Sequence, residues 1–169
     1  MPLKPLSLDP RLSAGYQVRR CHRRFDRLLN ACLAPHGLKT GYWYYLRVLW
    51  IEDGLTQRAL SERTNVTENT TASIINAMAK DGLVVRMRDA RDKRKQRIVL
   101  TDYGKSLEAE LMHYAVDINR LALEGIDRRE IEACMLVMNR MSENLANAFR
   151  ELDEKICESD NAHSRSSPN

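Results

Sequence analysis

RMRDARDKRKQRIVLT, residues 86–101, carries seven basic side chains and two acids in its first twelve positions. Those twelve residues hold a net charge of +5, more than the +4 of the whole 169-residue chain. A basic run alone is often only a solvated loop or an import tag. Its flanks decide against that here. LVVRMR leads into the run and RIVLT returns from it, so residues 84–100 read as a two-stranded hairpin with a charged tip.

Two short helices precede the hairpin. In LTQRALSERT, Thr56 is the cap and Leu55, Ala59 and Leu60 turn inward. Asn65-Val66 makes a tight turn. Thr67 then caps TENTTASIINAMAKDGL, whose Ile74, Ile75 and Met78 face the core and whose Gly82 ends the helix. Two short helices followed by a basic hairpin make a winged helix-turn-helix. Its second helix fits the DNA major groove, with the N-terminal side chains at the base edges. Thr67, Glu68, Asn69, Thr70, Thr71 and Ser73, with Asn76 farther along, are therefore expected to face DNA. Thr56, Gln57 and Arg58 join them from the start of the preceding helix. Arg88, Arg91, Lys93, Arg94 and Lys95 would follow the phosphates or enter the minor groove, whose negative potential attracts arginine. Asp89 and Asp92 look misplaced beside phosphate; paired with neighbouring arginines, they would hold the tip in one shape.

On either side of this 41–101 unit lie longer helices. Asp9-Pro10 reads as a cap with proline in the first helical position. Val18, Cys21, Phe25, Leu28 and Cys32 then recur at helical spacing over 11–33. A second helix, over 41–51, packs five of the ten aromatics between Tyr42 and Trp50. Thr101 caps a helix with Leu107, Leu111, Tyr114, Ile118 and Leu121 on one side. Asp127 and Glu130 form a capping box, with Ile126 stapled on Ile131. The helix it starts carries Met135, Met138, Leu145, Leu152 and Ile156 in a stripe. Two such stripes at the C-terminus have too little partner core within one chain, which predicts a homodimer through these helices. An arm over 1–10 and a Ser/Asn-rich, disordered tail over 157–169 complete the division. The expected fold class is mainly α with a small β-hairpin wing.

Charge separates along the chain. Residues 1–101 hold nineteen Lys/Arg against nine Asp/Glu, whereas residues 102–160 hold seven against fourteen. A basic first part joined to an acidic second part points to a polyanion-binding face on the first only. No apolar run suits a membrane span and the N-terminus lacks the pattern of a signal peptide, so a cytoplasmic protein is expected. Cys21, Cys32, Cys134 and Cys157 are widely spaced and read as free thiols, mostly small core residues, without a metal. No nucleophile–base pair, phosphate loop or cofactor motif appears, so no enzyme is expected.

The run from Leu55 to Leu107 resembles the winged-helix core of the MarR family of bacterial transcriptional regulators. The resemblance rests most on Asp92-x-Arg94, Leu100-Thr101 with Gly104, and Gly82-Leu83-Val84. It implies an obligate homodimer, built from the helices of 11–40 and 102–156, on a pseudo-palindromic double-stranded operator, released by a small ligand or an oxidant. For the ligand, the aromatic cluster suggests a small anionic aromatic effector, an aromatic acid or its CoA thioester. Trp43, Tyr44, Tyr45 and Tyr114 would meet its ring, and Arg19, His22 and Arg23 its negative end. At least two of the rings between Tyr42 and Trp50 are expected to fill core instead. The alternative is a thiol switch at Cys21, flanked by Arg19, Arg20, His22 and Arg24.

Overall fold

A computed structural model of the chain describes residues 9–90 and 92–165, with 157–165 described by their backbone alone. Its helices are α1 (Ala14–Leu33), α2 (Thr40–Ile51), α3 (Gln57–Thr64), α4 (Glu68–Lys80), α5 (Asp102–Ala122) and α6 (Arg128–Arg165). A short 3₁₀ turn, Ala34–His36, follows α1. The strands are β1 (Leu55–Thr56), β2 (Val84–Arg88) and β3 (Gln96–Leu100). The chain forms two compact units, one ending at Ala122 and the other starting at Leu123. Among the described residues no helix is long and apolar enough to cross a membrane, and no cluster of His, Cys, Asp and Glu is arranged to hold a metal.

The first unit is a winged helix-turn-helix. Its core is built from Leu33, Tyr45, Leu46, Leu49, Leu60, Ile75, Met78, Leu83, Ile98, Leu107 and Leu111, all at most 1% exposed. The expected threonine caps form. Thr56 Oγ1 accepts from Ala59 N–H at 3.2 Å, Thr67 Oγ1 from Thr70 N–H at 3.4 Å, and Thr101 Oγ1 from Gly104 N–H at 3.0 Å. Each satisfies a donor the helix itself leaves open. Between α3 and α4, Asn65 turns the chain in the left-handed region at φ 54°. Asparagine tolerates that conformation better than most residues.

The sheet has three strands, in the order β1-β3-β2, rather than the two of a plain hairpin. All pairings are antiparallel, with Val84 opposite Leu100, Arg86 opposite Ile98, Arg88 opposite Gln96, and Leu55 opposite Ile98 on the far side. Two residues are too few for β1 to show a period in sequence. A side chain fixes the strand's approach: Asp53 Oδ1 accepts from both Gly54 N–H and Leu100 N–H at 2.9 Å.

Behind the sheet, α5 starts hard against the chain. A Cβ on Gly104 would fall on the Leu83 carbonyl oxygen, so only glycine fits there. The Thr101 hydroxyl donates to the Gly82 carbonyl at 2.7 Å, and the Trp50 indole donates to the Gly104 carbonyl at 2.9 Å.

Two helix ends differ from the sequence reading. Ser13, not Asp9, caps α1; its side chain accepts from Tyr16 N–H at 3.3 Å. Asp9 instead closes a separate turn, its backbone carbonyl taking Leu12 N–H and Ser13 N–H. In the second unit the Asp127–Glu130 capping box forms, with Glu130 Oε2 accepting from Asp127 N–H at 3.2 Å. The helix it starts runs on to Arg165 instead of giving way to a tail at 157. Composition favoured a tail there, but an established helix adds residues at far lower cost than it nucleates. The expected arm over residues 1–8 and the end of the tail, 166–169, lie outside the described residues.

Candidate nucleic-acid interface

On α4 the exposed side chains are Glu68, Asn69, Thr70, Ser73, Asn76 and Lys80, with the cap Thr67 exposed ahead of them. They form the outward face of a helix whose inward stripe is Thr71, Ile75 and Met78. Thr71 is thus a correction. It is fully buried, and its hydroxyl meets that of Tyr45 at 3.0 Å, so it ties α4 to α2 and does not face DNA. The polar run from Thr67 to Thr71 looked continuous in sequence, but a 3.6-residue period returns one of its members to the core.

The wing presents Arg86, Arg88, Lys93, Arg94, Lys95 and Arg97 to solvent. Arg91 lies outside the described residues. Both acids are hydrogen-bonded within the wing. Asp89, only 6% exposed, is paired with Arg97 Nε on β3, and its Oδ1 accepts from Asp92 N–H at 2.9 Å. Asp92 in turn accepts from Arg94 N–H at 3.1 Å and lies 3.7 Å from Lys95 Nζ. Arg97 also donates to the Gly54 carbonyl at 2.8 Å, anchoring the wing to the loop before β1. The cations at the tip are therefore carried on a hydrogen-bonded frame.

Between the start of α3 and the wing lies an open cleft of about 360 Å³. Thr56, Gln57, Arg58, Arg86, Arg94, Lys95 and Gln96 line it. Three of these, Thr56, Gln57 and Arg58, were expected from the helix start; Arg58 is also held by Glu62 at 3.0 Å. Arg86 was missed. Counting alternately from Val84, the buried first residue of β2, places Arg86 on the face turned to α4, and that signal was present in the sequence. Its guanidinium donates to Asn76 Oδ1 on α4 at 2.8 Å.

The residues expected to hold an effector do not assemble into one pocket. Trp43 is buried and packed edge-on against Trp50, and Tyr45 is spent on Thr71. Tyr114 is half-buried and joined to His36 Nε2 at 3.1 Å, while His36 Nδ1 lies 2.9 Å from Glu110. His22 and Tyr44 do come together. Both are exposed and share Asp26, which is 3.3 Å from His22 Nε2 and accepts from the Tyr44 hydroxyl at 2.6 Å. Burial, then the hydrogen bond and charge of Asp26, raise the Tyr44 phenol pKa. The same causes, with Asp81 as acceptor, push Tyr42 up to about 12. Arg19 and Arg23 are exposed on α1. Cys21 and Cys134 are exposed rather than core residues, and Cys32 is half-buried.

Comparison with known proteins agrees with this geometry. Residues 36–95 match the family model described as MarR family. The chain is similar to the HTH-type transcriptional regulator TtmR of Methylorubrum extorquens (strain PA1), 32% identical over 107 residues, covering 63% of this chain and 54% of that protein. It thus spans about half the length of that relative. The crystal structure of a MarR transcriptional regulator from Methanosarcina mazei Go1 is 28% identical with a TM-score of 0.70, covering 77% of this chain and 94% of that one. The transcriptional repressor CouR, bound to a 23-mer DNA duplex, shares the fold at 22% identity and a TM-score of 0.71, covering 84% and 99%. With its helix order and three-stranded wing, the chain carries a winged helix-turn-helix that is similar to those of MarR-family regulators over residues 36–95.

Proposed function

We propose that this chain is a DNA-binding transcriptional regulator, a repressor that grips a pseudo-palindromic operator as a homodimer. The observation that carries the reading is the cleft where Arg58, Arg86, Arg94 and Lys95 converge beside the polar face of α4. A duplex seated with α4 in the major groove brings its phosphates to such a cleft, and the wing reaches the adjacent minor groove. The homodimer is supported by α6. Met135, Met138, Leu145, Leu152 and Ile156 are 40–68% exposed along it, an apolar stripe of the kind a partner helix covers.

Release is assigned to a small anionic aromatic effector, an aromatic acid or its CoA thioester. The open His22–Tyr44 pair offers rings beside the exposed Arg19 and Arg23, a chemistry that suits a ring with a negative end. A second reading, release by oxidation of Cys21, is favoured by that thiol's exposure at a groove between α1 and α5. Alkylating the thiols separates the two, because only an oxidant response is then abolished.

The DNA-binding reading is tested by the affinity for duplex DNA across 50–200 mM salt. Affinity is expected to fall steeply with salt, and Arg94→Ala to flatten the log–log slope by about one unit for each phosphate that Arg94 neutralises. Affinity independent of salt, or unchanged by Arg94→Ala at low and high salt, overturns it.

A further inference from the structure

Asn69, Ser73 and Asn76 stand at i, i+4 and i+7 on α4 and are all exposed, forming one outward stripe. A free asparagine amide at a base edge is ambivalent. Its carbonyl accepts and its NH₂ donates, and rotation about the last side-chain bond exchanges them. Asn76 is not free in this sense. Arg86 reaches it from β2, with Nη2 2.8 Å from Oδ1. A guanidinium has five donors and no acceptor, so only the carbonyl of Asn76 is compatible with that hydrogen bond. The NH₂ is therefore turned away from Arg86. Arg86 itself pairs with no acid among the described residues, so no salt bridge competes for it.

We propose that Arg86 is a positioning residue for Asn76. It fixes the amide with its donor side outward, so that this point of α4 reads a base that presents an acceptor in the major groove. Guanine, with O6 and N7, thymine, with O4, and adenine, with N7, satisfy that donor; cytosine, whose N4 is itself a donor, does not. The same guanidinium sits in the cationic cleft, so one residue serves two purposes there: charge toward the backbone and orientation of a base-reading amide. This assignment rests on the DNA-binding reading above.

The test uses the full chain. Preferred duplexes are first selected from a random pool with the wild-type protein. Binding of wild type, Arg86→Ala, Asn76→Ala and the double variant is then measured on a selected and a scrambled duplex. Thermal unfolding of each variant checks folding, which both exposed positions are expected to leave intact. Arg86→Ala and Asn76→Ala should each weaken the preference for the selected duplex roughly five- to thirtyfold, at the same base position. The double variant should discriminate no worse than Asn76→Ala alone, the mark of two residues acting as a unit. Arg86→Ala should in addition lower affinity for the scrambled duplex through the missing positive charge. If Arg86→Ala weakens both duplexes equally while Asn76→Ala alters base preference, Arg86 meets only phosphate and the proposal is overturned. A wild-type protein that binds no duplex defeats the DNA-binding reading itself, a result distinct from a wild type that selects sequences with Arg86 playing no part.

Discussion

Between Tyr42 and Trp50, α2 gathers aromatic rings; between Arg86 and Arg97, the wing gathers cations. Tyr42, Trp43 and Tyr45 are at most 4% exposed, whereas the described wing cations all face solvent. Both stretches look like binding chemistry in sequence, and only one is placed where a macromolecule can reach it along its length. The cause is the cost of dehydration. A buried ring removes about 150–250 Å² of mostly apolar surface from water, and a hydroxyl such as that of Tyr45 needs only one partner, Thr71, to go with it. An unpaired cation cannot be buried at any comparable cost. The exceptions follow the same rule: Tyr44 stays out on Asp26, and Asp89 goes in because Arg97 accompanies it.

The largest effect is expected at the centre of the aromatic stretch. Tyr45→Ala should lower the unfolding free energy by about 3–5 kcal/mol, as large-to-small changes of core aromatics do. Lys93→Ala in the wing should stay within about 0.5 kcal/mol. Urea unfolding of both would break the comparison if the two changes were alike.

A smaller effect with a diagnostic sign is expected from Asp89→Ala. It removes a negative charge, so electrostatics alone would tighten DNA binding. It also leaves Arg97 without its carboxylate and releases the turn at Asp92, which should cost roughly 1–3 kcal/mol of stability. Weaker DNA binding despite the added positive charge is the expected result. Tighter binding would mean the frame beneath the wing cations is dispensable.

The smallest change sharpens the correction at Thr71. Tyr45→Phe should cost about 1 kcal/mol by removing the buried hydrogen bond. Thr71→Val should leave sequence preference on DNA unaltered, and a changed preference would return Thr71 to the reading face.

What was legible in the sequence was local. Thr56, Thr67 and Thr101 announced their helices because a cap is decided within three residues, and the Asp127–Glu130 box did the same. The basic wing was legible because charge density survives folding. At least two of the rings between Tyr42 and Trp50 were read as core, but which ones, and that Thr71 joins Tyr45 there, depends on which sides of α4 and α2 meet, a meeting of residues 26 positions apart. β1 was invisible because its partner, Ile98 on β3, lies far along the chain. Arg86 was readable from strand alternation, but its role needed Asn76, which belongs to another element.

The bare backbone at Gly104 also has a mechanical consequence. A side chain between two elements acts as a spring; here the peptide of α5 rests directly on that of Leu83, with Trp50 and Thr101 clasping the same spot. The start of α5 is in effect a pivot. With 21 residues at about 1.5 Å each, the helix is a lever of about 30 Å, so tilting it by about five degrees sweeps its far end through about 3 Å. The reaction at the pinned end falls on Gly82 and Leu83, the residues through which the chain leaves α4.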